Sequence, residues 1–87
     1  MKILSHYSSA PFQEFDGDAV KGVSGRVVIG QDDGAAHFCM RIFTLAAGGF
    51  TPLHTHDWEH EVLIHEGSGQ VFKENEWVNV SSGSVVF

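Results

Sequence analysis

The chain has 87 residues, with 11 Asp and Glu against 5 Lys and Arg, and a net charge of −6. An acidic chain lacks the basic face that binds phosphate groups, so we expect neither nucleic acid nor an anionic membrane as a partner. Hydrophobic residues make up 43% of the chain, enough for a core and too many for a disordered chain. The single cysteine, Cys39, excludes an internal disulfide and is typical of the reducing cytosol. Residues 1–12 contain no apolar run of the signal-peptide type, so we expect a cytoplasmic protein. The length of the chain predicts one domain over residues 1–87.

Short apolar runs separated by glycine-rich turns predict β-strands in most of the chain. Residues 1–25 are only weakly patterned, and no strand is predicted there. After them, the sequence predicts strands at residues 26–30, 37–46, 60–66, 70–73, 77–80 and 84–87. Turns are predicted between these strands at residues 31–34, 47–49, 67–69, 74–76 and 81–83.

The spacing of apolar residues favours an all-β fold. No segment of ten residues keeps the 3.6-residue period of an amphipathic helix, and many short strands with tight turns indicate a sandwich or a barrel. Both alternating faces of the strand at residues 37–46 are mostly apolar, which predicts that this strand is covered on both sides. The last strand ends in Val85, Val86 and Phe87, an apolar edge that favours pairing with another chain. We therefore expect a homodimer formed by edge pairing or strand exchange.

Four of the six histidines lie in the short segment from His54 to His65. Side chains at positions i and i+2 of a strand project to the same side, so His54 and His56 can bind one ion together. A turn at residues 57–59 would return His60 towards them. Neutral imidazole is the commonest metal ligand in proteins and suits Zn, Cu, Fe and Ni. A polar loop that is rich in histidine is the alternative interpretation of the same pattern.

The residues around these histidines resemble the first signature motif of the cupin superfamily. Five residues separate Gly48 from His54, and six residues separate His60 from Gly67. The segment is similar to the cupin pattern Gly-x5-His-x-His-x(3 or 4)-Glu-x6-Gly, and Pro52 stands where cupins often carry a proline.

Two residues compete for the position that a glutamate ligand holds in cupins. Alignment on both glycines of the motif puts His60 there. The four-residue spacing after His56 puts Glu61 there instead, but the second glycine is then one residue too close. His60 shares a strand face with Val62 and Ile64, which suit a barrel interior, so the alternation of side chains favours His60.

The resemblance covers about residues 20–87 and is closest to small single-domain bacterial cupins with an all-histidine site. Residues 20–30, 38–44 and 58–61 are also similar to that group. The resemblance implies a double-stranded β-helix, or jelly-roll barrel, in which His54, His56 and His60 bind a divalent metal ion. Manganese is the favoured metal, with iron, nickel, copper or zinc as alternatives. Four imidazoles hold the metal in that group, and oxygen-dependent chemistry is associated with some members.

Cupins take their last histidine ligand from a second motif, Gly-x5-Pro-x-Gly-x2-His-x3-Asn. Residues 83–87 are similar only to its opening, so we expect a cupin domain that is incomplete at its C-terminal end. The resemblance implies a metal-dependent oxygenase or other oxidoreductase that acts on a small organic substrate. The alternative is a non-catalytic fragment that binds a metal or a small molecule and is stabilised by dimerisation.

Other residues near the histidines have expected roles of their own. Glu59 and Glu61 are interpreted either as acceptors for imidazole N–H groups or as solvated charges of a turn. Trp58 is expected to pack near the metal, and His65 is expected at the surface. Cys39 is expected to be a buried and unreactive thiol.

Overall fold

The computed structural model describes residues 1–53 and 56–87. The chain divides into two compact units, Met1–His54 and Thr55–Phe87. The described residues form seven strands in three antiparallel sheets of three, two and two strands. This confirms the all-β class. None of the three sheets closes into a barrel within the described residues, so the cupin-like jelly roll and the single domain over residues 1–87 stay predictions.

The first unit contains an antiparallel sheet with the strand order β1–β2–β3. Its strands are β1 (Phe12–Phe15), β2 (Lys21–Ile29) and β3 (Met40–Phe50). The strands predicted at residues 26–30 and 37–46 overlap β2 and β3, whereas β1 was not predicted. Two polar residues separate its phenylalanines, so β1 lacks the period of two that marks a strand in sequence.

The glycines at the end of β3 do not terminate the strand, so the turn predicted at residues 47–49 is wrong. Gly48 has a φ of +78°, and the pairing register shifts between Lys21 and Val23 on the neighbouring strand. The glycines therefore accommodate an irregularity of the sheet, and β3 continues to Phe50.

Short 3₁₀ helices flank the sheet at Tyr7–Ser9 and Gln31–Asp33. The second replaces the turn predicted at residues 31–34 and is followed by Gly34, whose φ of +85° suits glycine. Within the described residues, no helix has the length and apolar character needed to cross a bilayer.

Few apolar side chains are buried. Those with the least exposure in the described residues are Ala10, Val23 and Val28. Phe43 and Leu45 of β3 are 45% and 46% exposed, so the prediction that β3 is covered on both sides is wrong for this chain. Phe43 and Leu45 share one face of β3, because side chains two residues apart in a strand project to the same side, and this face is left open in the described residues.

The second unit contains two pairs of antiparallel strands. Strand β5 (Ser68–Lys73) pairs with β6 (Glu76–Ser81), and the predicted hairpin turn is found between them. The strand expected at residues 60–66 is reduced to β4 (Val62–Leu63), which pairs with β7 (Val85–Val86).

Candidate metal centre

Two of the three predicted ligands lie side by side in the second unit. His56 and His60 belong to the segment before β4, and their ring centroids are 4.4 Å apart with an interplanar angle of 69°. His56 is half-buried and His60 is exposed. The third predicted ligand, His54, lies outside the described residues, so its role stays a prediction.

The imidazole of His56 has a defined hydrogen-bond partner. Its Nδ1 atom lies 2.8 Å from the backbone carbonyl oxygen of Trp58. A carbonyl oxygen only accepts hydrogen bonds, so Nδ1 carries the proton in this contact. In the neutral ring this leaves the lone pair on Nε2. Metal-binding histidines commonly donate their other ring N–H to a carbonyl or a carboxylate in this way.

The indole of Trp58 covers one face of the same imidazole. The two ring centroids are 4.2 Å apart and the planes differ by only 7°. Trp58 itself remains 66% exposed. The chain bends at Asp57 and Trp58, which allows one residue to contact His56 through both its carbonyl and its ring. Trp58 therefore packs against one predicted ligand, while its expected position near a metal stays a prediction.

The described residues do not supply a complete ligand set. Within residues 1–53 and 56–87, no three His, Cys, Asp or Glu side chains come together as a group that could hold a metal ion. Glu59 and Glu61 therefore do not form a three-ligand group with His56 and His60. The alternative that assigns Glu61 as a ligand gains no support from this arrangement.

Two other expectations concern exposure. His65 is exposed, as expected. Cys39 is also exposed, so the expectation of a buried thiol is wrong. Cys39 precedes the first residue of β3, and the sequence pattern had placed it within the strand.

Sequence reasoning missed the contribution of the Trp58 carbonyl. Every residue has a carbonyl group, so no residue type marks one that will accept from a histidine. The i, i+2 spacing of His56 and Trp58 was the only signal that could have suggested a contact.

Two open depressions lie elsewhere on the surface. One has a volume of ≈ 460 Å³ and lies on the β5–β6 hairpin. The other, of ≈ 600 Å³, lies beside the second 3₁₀ helix. Neither is lined by a histidine, so neither belongs to the candidate metal centre.

Comparison of the chain with protein families, with curated proteins and with solved structures finds no match. The resemblance to cupins therefore rests on the motif and on the other similar segments of this sequence. The assignment of metal and chemistry has to be argued from the histidines and their contacts.

Proposed function

We propose that this chain is a small cupin-like protein that binds a divalent metal ion through His54, His56 and His60. Manganese is the favoured metal, with iron, nickel, copper or zinc as alternatives. The observation that carries the proposal is the pair formed by His56 and His60, whose ring centroids are 4.4 Å apart. The hydrogen bond from Nδ1 of His56 adds to it, because metal-binding histidines commonly donate their other ring N–H to a carbonyl in this way.

The chemistry of these donors by itself suits a borderline divalent cation, and the preference for manganese comes from the resemblance to all-histidine cupins. Imidazole nitrogens bind Zn, Cu, Fe and Ni well, and three protein ligands leave coordination positions open for a small molecule. A metal ion bound there would supply Lewis acidity or, if it is redox-active, electron transfer to oxygen. The chain itself holds the plane of His56 and shields one face of that ring from water through Trp58.

We propose an oxidoreductase of the oxygenase type that acts on a small organic substrate, and a non-catalytic metal-binding protein as the alternative. The two differ in one measurement. Oxygen uptake with an electron-rich alkene or a diol, by protein loaded with manganese or iron, is expected for the enzyme. Stoichiometric metal binding without oxygen uptake by any loaded form would leave only the binding protein.

Metal binding is tested by isothermal titration of the purified chain with Mn²⁺, Fe²⁺, Ni²⁺, Cu²⁺ and Zn²⁺, together with thermal melting. We expect one ion per chain and a raised melting temperature, because an ion that binds only the folded state stabilises it. His56→Ala should abolish most of this binding. His65→Ala is the matched control, because it removes an exposed histidine outside the candidate centre. If none of the five metals binds or raises the melting temperature, the proposal is wrong.

A homodimer is the second proposal, supported by the exposed apolar edge of the second unit. Strand β7 pairs only with β4 among the described residues. Val85 is 72% exposed and Phe87 is 86% exposed. An apolar strand edge of this kind favours pairing with another strand, and edge pairing or strand exchange with a second copy would cover it.

The dimer is tested by light scattering coupled to size-exclusion chromatography. Val85→Lys places a charge on the edge and should shift the chain from dimer to monomer. Leu53→Lys is the control, because it places the same charge on an exposed residue outside any strand. A wild-type chain that elutes with the mass of a monomer would contradict the proposal.

We propose a cytoplasmic location on the basis of the single cysteine. The thiol of Cys39 is exposed, and an exposed unpaired thiol persists more readily in a reducing compartment. The net charge of −6 supports the absence of nucleic-acid and anionic membrane partners.

A further inference from the structure

We infer that Trp58 is a positioning residue of the proposed metal centre, which fixes both the tautomer and the ring plane of His56. The inference rests on the proposed function, because it concerns one of the same ligands. It goes further in assigning a role to a residue that binds no metal itself.

The carbonyl of Trp58 selects one of the two neutral forms of His56. The contact of 2.8 Å between Nδ1 and this oxygen is favourable only when Nδ1 carries the proton. The other tautomer would direct the Nδ1 lone pair at the lone pairs of the carbonyl oxygen. Because the contact stabilises the form with its lone pair on Nε2, His56 is prepared to coordinate through that atom before any ion arrives.

The indole of Trp58 restricts rotation of the same ring. Its plane lies within 7° of the imidazole plane at a centroid distance of 4.2 Å. Rotation of His56 about its χ2 angle would break this stack and lengthen the hydrogen bond to the carbonyl. The χ2 angle of a histidine otherwise has a broad distribution. The stack therefore reduces in advance the rotational entropy that His56 would lose on binding a metal ion.

His60 contacts the same imidazole in a different geometry. Its ring is tilted by 69° relative to His56, at a centroid distance of 4.4 Å. Trp58 therefore holds the ring plane of His56, and His60 packs against that ring. Loss of the indole should disturb the relation between the two histidines, whereas the backbone carbonyl of residue 58 would remain to select the tautomer of His56.

The test compares Trp58→Ala and Trp58→Phe with the wild-type chain. We expect Trp58→Ala to weaken Mn²⁺ and Zn²⁺ binding measurably, but by less than the roughly 10–100-fold found when an outer hydrogen-bond partner is lost, because alanine keeps the carbonyl of residue 58. Trp58→Phe keeps an aromatic ring for stacking and should bind within a few-fold of wild type. Trp77→Ala is the matched control for Trp58→Ala, because it removes the indole of the chain's other tryptophan, on β6. Unchanged metal affinity in Trp58→Ala would overturn the inference.

A second readout uses the metal-free chain. Nitrogen-15 NMR of the imidazoles should show His56 as the Nδ1–H tautomer in wild type. Trp58→Ala keeps the backbone carbonyl that selects this tautomer, but it removes the stacked indole, so the ring-current shift of the His56 ring protons should be lost. If the wild-type chain binds none of the metals, the proposed function fails, and this spectrum alone decides whether Trp58 positions His56. A wild-type His56 in the Nε2–H form, or His56 ring-proton shifts that are the same in both metal-free chains, would then overturn the inference.

Discussion

The side-chain ammonium of Lys2 lies 2.8 Å from Oδ1 of Asp33. The same ammonium donates to the carbonyl of Val28 at 2.9 Å, while Oδ2 of Asp33 accepts the backbone N–H of Gly30 at 3.0 Å. The start of the chain is thereby fixed to the connection between β2 and β3. The hydrogen bonds from Lys2 and Gly30 hold the pKa of Asp33 below its ordinary value of 3.8, although desolvation opposes the shift.

This ion pair predicts a pH-dependent contribution to stability. A carboxyl group with a lowered pKa stabilises the folded chain where it is ionised, and the contribution is lost as pH falls through the folded-state pKa. Asp33→Asn should therefore lower the melting temperature at neutral pH, and its difference from wild type should vanish in strong acid. Thermal melts from about pH 7 to about pH 2 check this.

The control for this prediction is Asp32→Asn. It removes one charge from the same 3₁₀ helix without removing the bond to Lys2. If the two variants lower the melting temperature equally at neutral pH, the contribution assigned to the ion pair is wrong.

Gly49 is predicted to be intolerant of any side chain. A Cβ atom at this position would lie 2.7 Å from the carbonyl oxygen of Lys21 and 2.8 Å from that of Ala46. Backbone oxygens cannot move aside as a flexible side chain can, so Gly49→Ala should destabilise the chain by about 1–3 kcal/mol. The measurement is thermal or urea unfolding.

Gly69→Ala is the matched control for Gly49→Ala. Gly69 is also within a strand, but a Cβ atom there would meet nothing within 4 Å. It should be neutral or stabilise by about 0.5–1 kcal/mol, because alanine loses less backbone entropy on folding. Equal stability of the two variants would contradict the close approach at Gly49.

The β5–β6 turn predicts a stabilising substitution. Glu74 and Asn75 both have positive φ, 49° and 66°, which is the geometry of a two-residue hairpin turn that favours Asn and Gly. Glu74→Asn should therefore raise the unfolding free energy by about 0.5–1 kcal/mol. Glu74→Gln removes the same charge without the preference for positive φ and should change stability less. If both variants are equally stabilising, relief of charge repulsion is the cause and the backbone argument is wrong.

The strands that could be predicted from sequence are those with a clear pattern or turn. Glu74 and Asn75 lie between two apolar runs, and the hairpin they join is found as predicted. Phe12 and Phe15 have no such pattern, and β1 exists because its residues pair with β2. Burial was the least predictable property. The apolar faces of β3 indicate that both sides of the strand could be buried. Whether another layer packs on them depends on residues that are far from β3 in the sequence.

In the candidate site too, the sequence indicates which side chains come together but not which backbone group each one contacts. The spacing of His56 and His60 predicted that a turn would bring them together, and their rings are in contact. That they bind one ion together with His54 stays a prediction. The Trp58 carbonyl that fixes His56 could not be predicted, because backbone groups carry no mark in the sequence. Motif spacing therefore identifies ligand candidates, while their tautomers and ring planes follow from local geometry.

The choice between His60 and Glu61 as a metal ligand gives the last prediction. His60 lies against His56, whereas Glu61 forms no three-ligand group with the two histidines. His60→Ala should therefore weaken Mn²⁺ binding by more than the roughly 10–100-fold expected for loss of a supporting group. Glu61→Ala should stay within that range or below it. Isothermal titration of both variants, with Glu59→Ala as the control for loss of a nearby carboxylate, measures the difference. A larger loss of affinity in Glu61→Ala would make Glu61 the ligand and the four-residue spacing after His56 the correct alignment.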